Sequence, residues 1–442
     1  MKIVLAMGAV ALVVGCSSSE SGTSGTNAGG AAGMGGTAGS AGTGGSAGVG
    51  GAAGDGGSAG MGGAAGDGGS TGTGGASATG GSAGSAGSGG SGGGGAWEVG
   101  NPDGSCGAGV PAGGQPVDTS SPTTVVGTGT ADSCTFAALE AAVANGGIIT
   151  FDCGAGPVTI PISATLQVPT TKDTVIDGNR QVTLDGQNQV RILSFDSANW
   201  QNNEHRLTLQ HLALVNGKTT PTEAIPQAPP PCSQGWNDGE GGAVYMRDGN
   251  LTVIDSMFVG NHAAPLGPDT GGGAIYVMGS KHGVLIVGST FAQNEGSNAG
   301  AVGGLFAQLE IYDSLFTGNK AVGNGANNND PSQCSAINNG QNEIGSGGNG
   351  GAIYSDGNSV NVVLCGDKIV NNAAGTGAFG GGLFFTSNNM QGDLSIIDTI
   401  MTDNTGGHWT NVATGSVTNA GTAVGTNCHS ITIENSTIQG VP

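Results

Sequence analysis

The sequence predicts an all-β chain that winds as a parallel β-solenoid. Of its 442 residues 93 are glycine, and only 9% are charged. Short runs of Val, Ile, Leu and Phe alternate with polar residues at the period of two that is typical of strands. The runs recur in units of roughly 25 to 35 residues with two or three strands each, which is the length of a solenoid coil. A propeller blade would need more strands per unit, and the glycine content argues against helical repeats.

Each unit opens with a double glycine and closes near an asparagine. GGAVY leads to LTVIDSMFVGN, GGAIY to VLIVGSTFAQN and VGGLF to LEIYDSLFTGN, and two later units follow the same plan. Stacking the units aligns one apolar position and one asparagine position: Phe258, Phe291, Phe316, Ile369 and Met401, and Asn261, Asn294, Asn319, Asn372 and Asn404. We expect an apolar column inside the solenoid and an amide ladder between coils spaced by about 4.8 Å.

The paired GGA(I/V/L) and FxxN motifs resemble the repeats of the polymorphic outer membrane proteins, which are surface adhesins. GGAVY with FVGN, GGAIY with FAQN and VGGLF with FTGN match both motifs, whereas IVNN and MTDN keep only the asparagine. The resemblance covers roughly residues 131–440. It implies a right-handed parallel β-helix, which we assign to residues 148–442, and a role in surface adhesion.

The amino terminus carries an export signal. MKIVLAMGAVALVVGC places one Lys before an apolar run that is too short to span a bilayer. Its end, VVGC, resembles the lipobox of bacterial lipoproteins, which implies a signal over residues 1–16 and a lipid on Cys16. We therefore expect an outer-membrane lipoprotein at the cell surface or outside the cell. Residues 17–96 are nearly all Gly, Ala, Ser and Thr, which predicts a disordered linker.

Residues 97–147 form a segment that ends in a predicted capping helix. In CTFAALEAAVANGG, Phe136, Leu139 and Val143 have helical spacing, and Asn-Gly marks the end of the helix. We expect this short helix to cover the first coil, IITFDCGAGPVTI. The carboxyl end has no comparable cap, which predicts an open strand edge.

The cysteines of an exported chain meet an oxidising compartment, so disulfides are expected. Cys134 with Cys153 is the first candidate pair, because it would tie the helix to the first coil. Cys232 and Cys334 are the second, because they lie in two long insertions that leave the same edge of the solenoid. No CxxC or His spacing predicts a metal site, so neither metal nor cofactor is expected; Ca²⁺ is left open.

Catalysis is the alternative function, because pectate lyases and polygalacturonases share the parallel β-helix. Asp255, Asp313 and Asp398 are weak catalytic candidates, since they occupy one register. Gly288 and Gly366 fill the intervening coils, which places the aspartates about 10 Å apart. A hydrolase needs two carboxyl groups about 5 to 9.5 Å apart. We therefore interpret these aspartates as turn or edge residues.

Charge narrows the class of partner. The net charge of −21, with only 10 Lys and Arg, excludes ordinary nucleic-acid binding and leaves neutral glycans or surface proteins. Trp236 and Trp409, in predicted loops, are candidates for stacking on a sugar ring. We expect an adhesion or glycan/protein-binding module held at the membrane through Cys16, and not an enzyme. The alternative is a polysaccharide lyase or glycoside hydrolase of pectate-lyase-like fold. The sequence leaves the ligand and the oligomeric state open.

Overall fold

A computed structural model describes residues 12–15, 97–222, 239–267, 270–323, 347–406, 410–414 and 428–439. All of these belong to one unit of the chain, residues 1–19 and 94–442. Within them the chain forms one α-helix, α1 (Phe136–Asn145), two 3₁₀ turns, Ala112–Gly114 and Ala131–Ser133, and a succession of strands. No helix in this part is long and apolar enough to cross a membrane. The fold is all-β, as predicted.

In chain order the strands begin with β1 (Leu12–Gly15), β2 (Thr124–Val126), β3 (Gly147–Phe151), β4 (Val158–Pro161), β5 (Leu166–Gln167), β6 (Thr174–Asp185), β7 (Leu193–Asp196), β8 (Arg206–Val215), β9 (Val244–Arg247), β10 (Asn250–Ile254), β11 (Met257–Val259), β12 (Ile275–Met278), β13 (Val284–Val287) and β14 (Thr290–Ala292). They continue with β15 (Glu295–Gly296), β16 (Val302–Leu305), β17 (Leu309–Tyr312), β18 (Leu315–Thr317), β19 (Lys320–Ala321), β20 (Ile353–Gly357), β21 (Val362–Cys365), β22 (Lys368–Val370), β23 (Leu383–Ser387), β24 (Asp393–Ile397), β25 (Ile400–Thr402), β26 (Val412–Thr414), β27 (Ser430–Glu434) and β28 (Thr437–Ile438).

Each complete coil contributes one strand to each of three faces. Face 1 contains β5, β7, β9, β12, β16, β20, β23 and β26. Face 2 contains β10, β13, β17, β21, β24 and β27, and face 3 contains β11, β14, β18, β22, β25 and β28. The long strands β6 and β8 run from face 2 into face 3. Strands of successive coils pair in parallel, for example β9 with β12, β10 with β13 and β11 with β14. The predicted parallel β-helix is confirmed by this pairing.

The predicted apolar column lies inside face 3. Phe258 stacks on Phe291 with ring centroids 4.9 Å apart, and Phe291 stacks on Phe316 at 4.7 Å. Ile369 and Met401 continue the register in the next coils. All of these side chains are fully buried. Burying each one stabilises the fold by about 1.5 to 3 kcal/mol, so the column is a main part of the core.

The predicted amide ladder is also confirmed. The Nδ2 atom of each buried asparagine donates to Oδ1 of the asparagine in the next coil, always at 2.9 Å: Asn261 to Asn294, Asn294 to Asn319, Asn319 to Asn372 and Asn372 to Asn404. The same Oδ1 atoms accept a backbone N–H, for example from Asn261 to Asn294 at 3.0 Å. The ladder therefore satisfies polar groups that burial would otherwise leave without partners.

A second ladder, which the sequence analysis did not predict, runs along the start of face 3. Side-chain oxygens there accept the backbone N–H of the equivalent residue in the preceding coil; the rungs are Ser256, Ser289, Ser314, Asp367, Thr399 and Ser436. The hydroxyl rungs also donate to the carbonyl two residues earlier, as Ser314 does to Tyr312 at 2.8 Å. Asp367 is the only one of these rungs with a carboxyl group. Its Oδ1 accepts the N–H of Ser314 at the position where the other five rungs have a hydroxyl oxygen.

The capping helix lies where the sequence predicts it. Thr135 is the N-cap, its side chain accepting the N–H of Ala138 at 3.3 Å, and Gly146 follows the helix with φ of 65°. Leu139 and Val143 are fully buried against the first coil. The disulfide that the sequence pairs, Cys134 with Cys153, is present and has its Cα atoms 5.6 Å apart. The sheet begins before the helix, however, because β2 pairs with β3.

The carboxyl end differs from the prediction of an open edge. Strand β1 pairs antiparallel with β27, with Leu12 opposite Ile433 and Gly15 opposite Ser430. The prediction is therefore wrong for β27 in the full chain. Because β1 lies before Cys16, cleavage at the predicted site would remove it. Strand β27 would then keep its pairing with β24 and have one open edge.

Several predicted features lie outside the described residues. They are the linker 17–96, the lipidation residue Cys16, the second disulfide candidates Cys232 and Cys334, and the tryptophans Trp236 and Trp409.

Candidate functional site

Face 2 turns into face 3 at a single residue in most coils, and these residues form a column that we call the turn column. Its members have φ between 45° and 73°: His211, Asp255, Gly288, Asp313, Gly366, Asp398 and Asn435. The left-handed conformation costs most L-residues about 1 to 2 kcal/mol, whereas Gly, Asn and Asp tolerate it better. The alternation of aspartate and glycine that the sequence indicates is therefore present in the column.

The glycines make room for the aspartate side chains. A Cβ atom on Gly288 would lie 2.4 Å from Oδ1 of Asp255, and one on Gly366 would lie 2.4 Å from Oδ1 of Asp313. Both distances are shorter than van der Waals contact allows, so each aspartate carboxylate extends over the glycine of the next coil.

Residues 97–119 cross the outside of the turn column and face 2, and we call them the strap. Asn101 donates its backbone N–H to the carbonyl of Asp313 and its Nδ2 to the carbonyl of Gly366, both at 2.8 Å. A disulfide joins Cys106 of the strap to Cys365 at the end of β21. The sequence analysis did not predict this bridge, since 259 residues separate the two cysteines.

Asp313 and Asp398, two of the weak catalytic candidates, hold the strap in place. Oδ1 of Asp313 accepts the backbone N–H of Cys106 at 2.6 Å. Oδ2 of Asp398 accepts the backbone N–H of Gly107 at 2.8 Å. Hydrogen bonds from backbone amides to an ionised carboxylate are strong, so both contacts support a structural role for these aspartates.

Asp255, the third candidate, lies in a different environment. Its Oδ2 is 2.6 Å from Nη2 of Arg180 and 3.8 Å from Nε2 of His211. On the other side of the imidazole, Nδ1 of His211 is 3.0 Å from Oδ1 of Asp177. We call Asp177, Arg180, His211 and Asp255 the His211 cluster. Asp177 is buried, with 11% of its side chain exposed, whereas the other three side chains are partly exposed, up to 37% for Arg180.

Local backbone structure builds the cluster. The pairing of β6 with β8 changes register between Asp177 and Val182, and Arg180 within this bulge has φ of 55°. A Cβ on Gly178 would lie 2.6 Å from the carbonyl oxygen of His211, so only glycine fits after Asp177. The bulge turns Arg180 toward Asp255 in the coil of β10, two coils away along the solenoid axis.

Asp177 is the most strongly bonded member of the cluster. Its Oδ2 accepts hydrogen bonds from Thr119 of the strap at 2.8 Å and from Gln210 at 2.9 Å. Burial raises the pKa of Asp177, but hydrogen bonds from His211, Asn179, Gln210 and Thr119 outweigh burial and lower the pKa to about 2. The carboxylate is therefore ionised at neutral pH and orients Nδ1–H of His211 toward itself.

This arrangement is suited to proton transfer. With Nδ1 of His211 bonded to Asp177, Nε2 is left to accept or donate a proton on the side of Asp255. Arg180 adds a positive charge beside that position. Of these four residues, the sequence analysis selected only Asp255. It missed the cluster because its members come from three coils.

A metal centre receives no support from the same region. Ligand atoms of Cys106, Cys365 and Asp398 lie within 4.8 Å of one another. The two sulfur atoms, however, form a disulfide and offer no thiolate.

An exposed aromatic side chain that the sequence analysis did not select lies elsewhere, on the loop between β7 and β8. Trp200 is 38% exposed. Its signal in the sequence is a tryptophan inside a polar stretch, DSANWQNNE, between two strands.

Comparison with known proteins adds no relative. The chain matches no protein-family model, no curated protein and no solved structure. The parallel β-helix therefore stands on the strand pairing itself, and the resemblance to surface adhesins stays an expectation from the repeat motifs.

Proposed function

We propose that this protein is a lipid-anchored surface module that binds a neutral glycan or a surface protein through the outside of its β-helix. The observation that carries the proposal is an uncharged column on the outer side of face 3. Its members pair coil by coil: Val215, Val259, Ala292, Thr317, Val370 and Thr402. All except the buried Val370 are partly exposed.

The column runs from coil to coil along the solenoid axis. At about 4.8 Å per coil its six positions extend over about 24 Å. Small β-branched side chains in strands have few rotamers, so binding a partner there costs little side-chain entropy. An extended, uncharged surface of this kind supports binding of a chain-like or flat partner.

Charge and anchoring support the same function. With a net charge of −21 the protein repels polyanions, which favours a neutral partner. The VVGC sequence ending at Cys16 supports attachment to the outer membrane, and residues 17–96 would supply the distance between anchor and β-helix.

A binding assay that also detects cleavage tests the proposal. We would produce the mature chain from residue 16 with Cys16→Ser and incubate it with neutral and uronic polysaccharides, with and without Ca²⁺. Retention by a neutral polysaccharide and no increase in reducing ends is the expected result. Thr317→Arg should weaken that retention, whereas Thr119→Ala, in the strap, should not. New reducing ends with any polysaccharide would contradict a binding function.

The His211 cluster favours a second candidate, polysaccharide cleavage by hydrolysis or elimination. In that function Nε2 of His211 would exchange the proton, Asp177 would hold the imidazole, and Arg180 with Asp255 would flank the substrate. His429 offers a matched control, because its Nδ1 is 2.9 Å from Asp393 in a similar but more exposed pair. If reducing ends do form, loss of activity in His211→Ala but not in His429→Ala would establish this candidate.

A further inference from the structure

We propose that Trp200 is the stacking platform of a site for a neutral sugar ring. This inference rests on the proposed binding function, but it adds a second site, at the turn between face 1 and face 2 and separate from the column on face 3. Trp200 is the only aromatic residue among the exposed large hydrophobic side chains in the described part of the chain; the others are Val117, Val125 and Met390. An indole at the surface offers a ligand a large apolar ring and an N–H donor.

The indole is held in a fixed position on the turn between face 1 and face 2. Gly279 lies beneath the six-membered ring, since a Cβ there would be 2.4 Å from Cζ3 and 2.5 Å from Cε3 of Trp200. Phe306, in the next coil, contacts the ring edge-on, with centroids 6.0 Å apart and planes at 70°. The ring thus rests on backbone and on one aromatic neighbour while part of its surface stays exposed.

Phe306 occupies the corner position with positive φ that Asp248 and Gly279 occupy in the two preceding coils. It has φ of 53°, a conformation that is unusual for a bulky residue. Its N–H donates to the carbonyl of Asp356 at 2.8 Å, which fixes it in the ladder of coils. Backbone strain of this kind costs about 1 to 3 kcal/mol and concentrates at functional sites.

A buried aspartate holds the loop that carries Trp200. Asp248 is fully buried, and its two carboxylate oxygens accept the Ser197 hydroxyl at 3.1 Å and the Asn202 N–H at 3.2 Å. Gln201 donates its N–H to the carbonyl of Gly279 at 3.1 Å. The loop is therefore ordered before any ligand arrives, which lowers the entropy cost of binding.

Paired charges lie on both sides of Trp200 along the chain. Asp196, at the end of β7, is 3.8 Å from Arg247. Glu204, at the other end of the loop, pairs with Lys281 and, at 2.6 Å, with Nε2 of His282. These ion pairs keep spare N–H groups and oxygen lone pairs that can bond hydroxyl groups, and the indole N–H adds a donor.

This chemistry fits a neutral sugar better than other ligands. The C–H face of a pyranose ring packs on an indole, and its hydroxyl groups need donors and acceptors at the rim. Asp196 and Glu204, the carboxylates at the two ends of the loop, already have positive partners, so they do not attract a charged ligand. The protein's overall negative charge acts further against uronate polymers.

Affinity electrophoresis of the mature Cys16→Ser chain in gels containing galactomannan, xylan or hydroxyethyl cellulose tests the site. We expect at least one of these polysaccharides to retard the wild-type chain and polygalacturonate not to retard it. Trp200→Ala should weaken binding about tenfold or more. Trp200→Phe, which keeps an aromatic face, should retain part of the affinity. Val125→Ala, at a residue 48% exposed on β2, should bind like wild type.

The outcomes separate this site from the proposed function. Retardation of wild type and Trp200→Ala to the same degree would overturn the site while the binding function stands. No retardation of wild type by any of the three, together with capture of a surface protein, would overturn the glycan site and leave protein binding. Near-ultraviolet circular dichroism shows whether Trp200→Ala folds. If it does not, Trp200→Phe and Gly279→Ala replace it in the binding test. Gly279→Ala displaces the indole without removing it, so unchanged binding by this variant would overturn the site.

Discussion

Nδ1 of His211 lies 3.0 Å from Oδ1 of Asp177, although 34 residues separate the two along the chain. The separation is one coil of the β-helix, so the contact exists only because β6 and β8 pair in register. The strap reaches the same carboxylate through the hydroxyl of Thr119. Asp177 therefore joins two coils and the strap at one point.

Replacing Asp177 with Asn should destabilise the protein at neutral pH. It should also make the free energy of unfolding depend less on pH between about 4 and 2. The folded pKa of about 2 lies below the ordinary value of about 3.9. The carboxylate's stabilisation is thus present above about pH 4 and is lost as pH falls toward 2. We expect Asp177→Asn to lose about 1 to 2 kcal/mol at pH 7, after allowance for solvent screening, and little at pH 2. Urea unfolding at both pH values measures this, with Asp185→Asn as control.

Asp367 should have the opposite effect on the pH dependence of stability: the protein should lose stability as pH rises, and not as pH falls. It is fully buried, and burial raises its pKa well above the ordinary value, although hydrogen bonds such as that from Ser314 oppose the shift. Its Oδ2 has no hydrogen-bond partner. A raised folded pKa gives stability that is present below about pH 4 and is lost as pH rises through the folded value.

Asp367→Ser should therefore stabilise the protein at high pH, since serine is the usual rung of this ladder. Thermal melts at pH 5 and pH 8 should show the wild type losing stability between the two and the serine variant losing less. An equal loss in both proteins would mean that Asp367 is not the titrating group.

Breaking the Cys106–Cys365 disulfide should release the strap from the β-helix without unfolding the β-helix itself. Removing a native disulfide commonly costs about 2 to 5 kcal/mol. In the Cys106→Ala, Cys365→Ala variant we expect faster hydrogen exchange at the backbone amides of positions 106 and 107, which donate to Asp313 and Asp398. The Cys134→Ala, Cys153→Ala variant should instead affect α1. Unchanged exchange in the strap would show that its hydrogen bonds suffice.

Removing one asparagine from the ladder should lower the free energy of unfolding. Asn319→Ala removes the acceptor for both the side chain and the backbone N–H of Asn294. Leaving buried donors without partners costs about 1 to 3 kcal/mol for each group, so we expect a loss of at least about 2 kcal/mol. Thr317→Ala, two residues earlier and partly exposed, is the control and should change stability by less than about 0.5 kcal/mol.

Cys16→Ser should release the protein from the membrane. With the lipid attachment residue gone, the exported chain should move from the membrane fraction to the soluble fraction and lose incorporation of labelled fatty acid. Persistence in the membrane fraction would contradict the proposed anchor. Serine in place of Cys106 in an otherwise unchanged chain should leave the fraction unchanged.

The architecture was predictable because its determinants repeat locally. The double glycine, the apolar column and the asparagine ladder recur once per coil, so aligning Phe258 with Phe291 and Asn261 with Asn294 already gives the strand register. The capping helix followed from spacing within one short segment. The candidate site did not repeat and could not be aligned. Asp255 was named for its register alone, and its partners Arg180 and His211 were not.

The sequence by itself determined the fold class, the coil period, the two predicted columns and the helix, because each depends on residues that are neighbours or periodic equivalents. Only the tertiary structure decided the path of the strap, the partner of Cys106, the His211 cluster and the position of Trp200. These depend on single contacts between distant segments, such as that from Asn101 to Gly366 across 265 residues. No local pattern encodes such contacts, since they form only after the coils have stacked and brought their turns side by side.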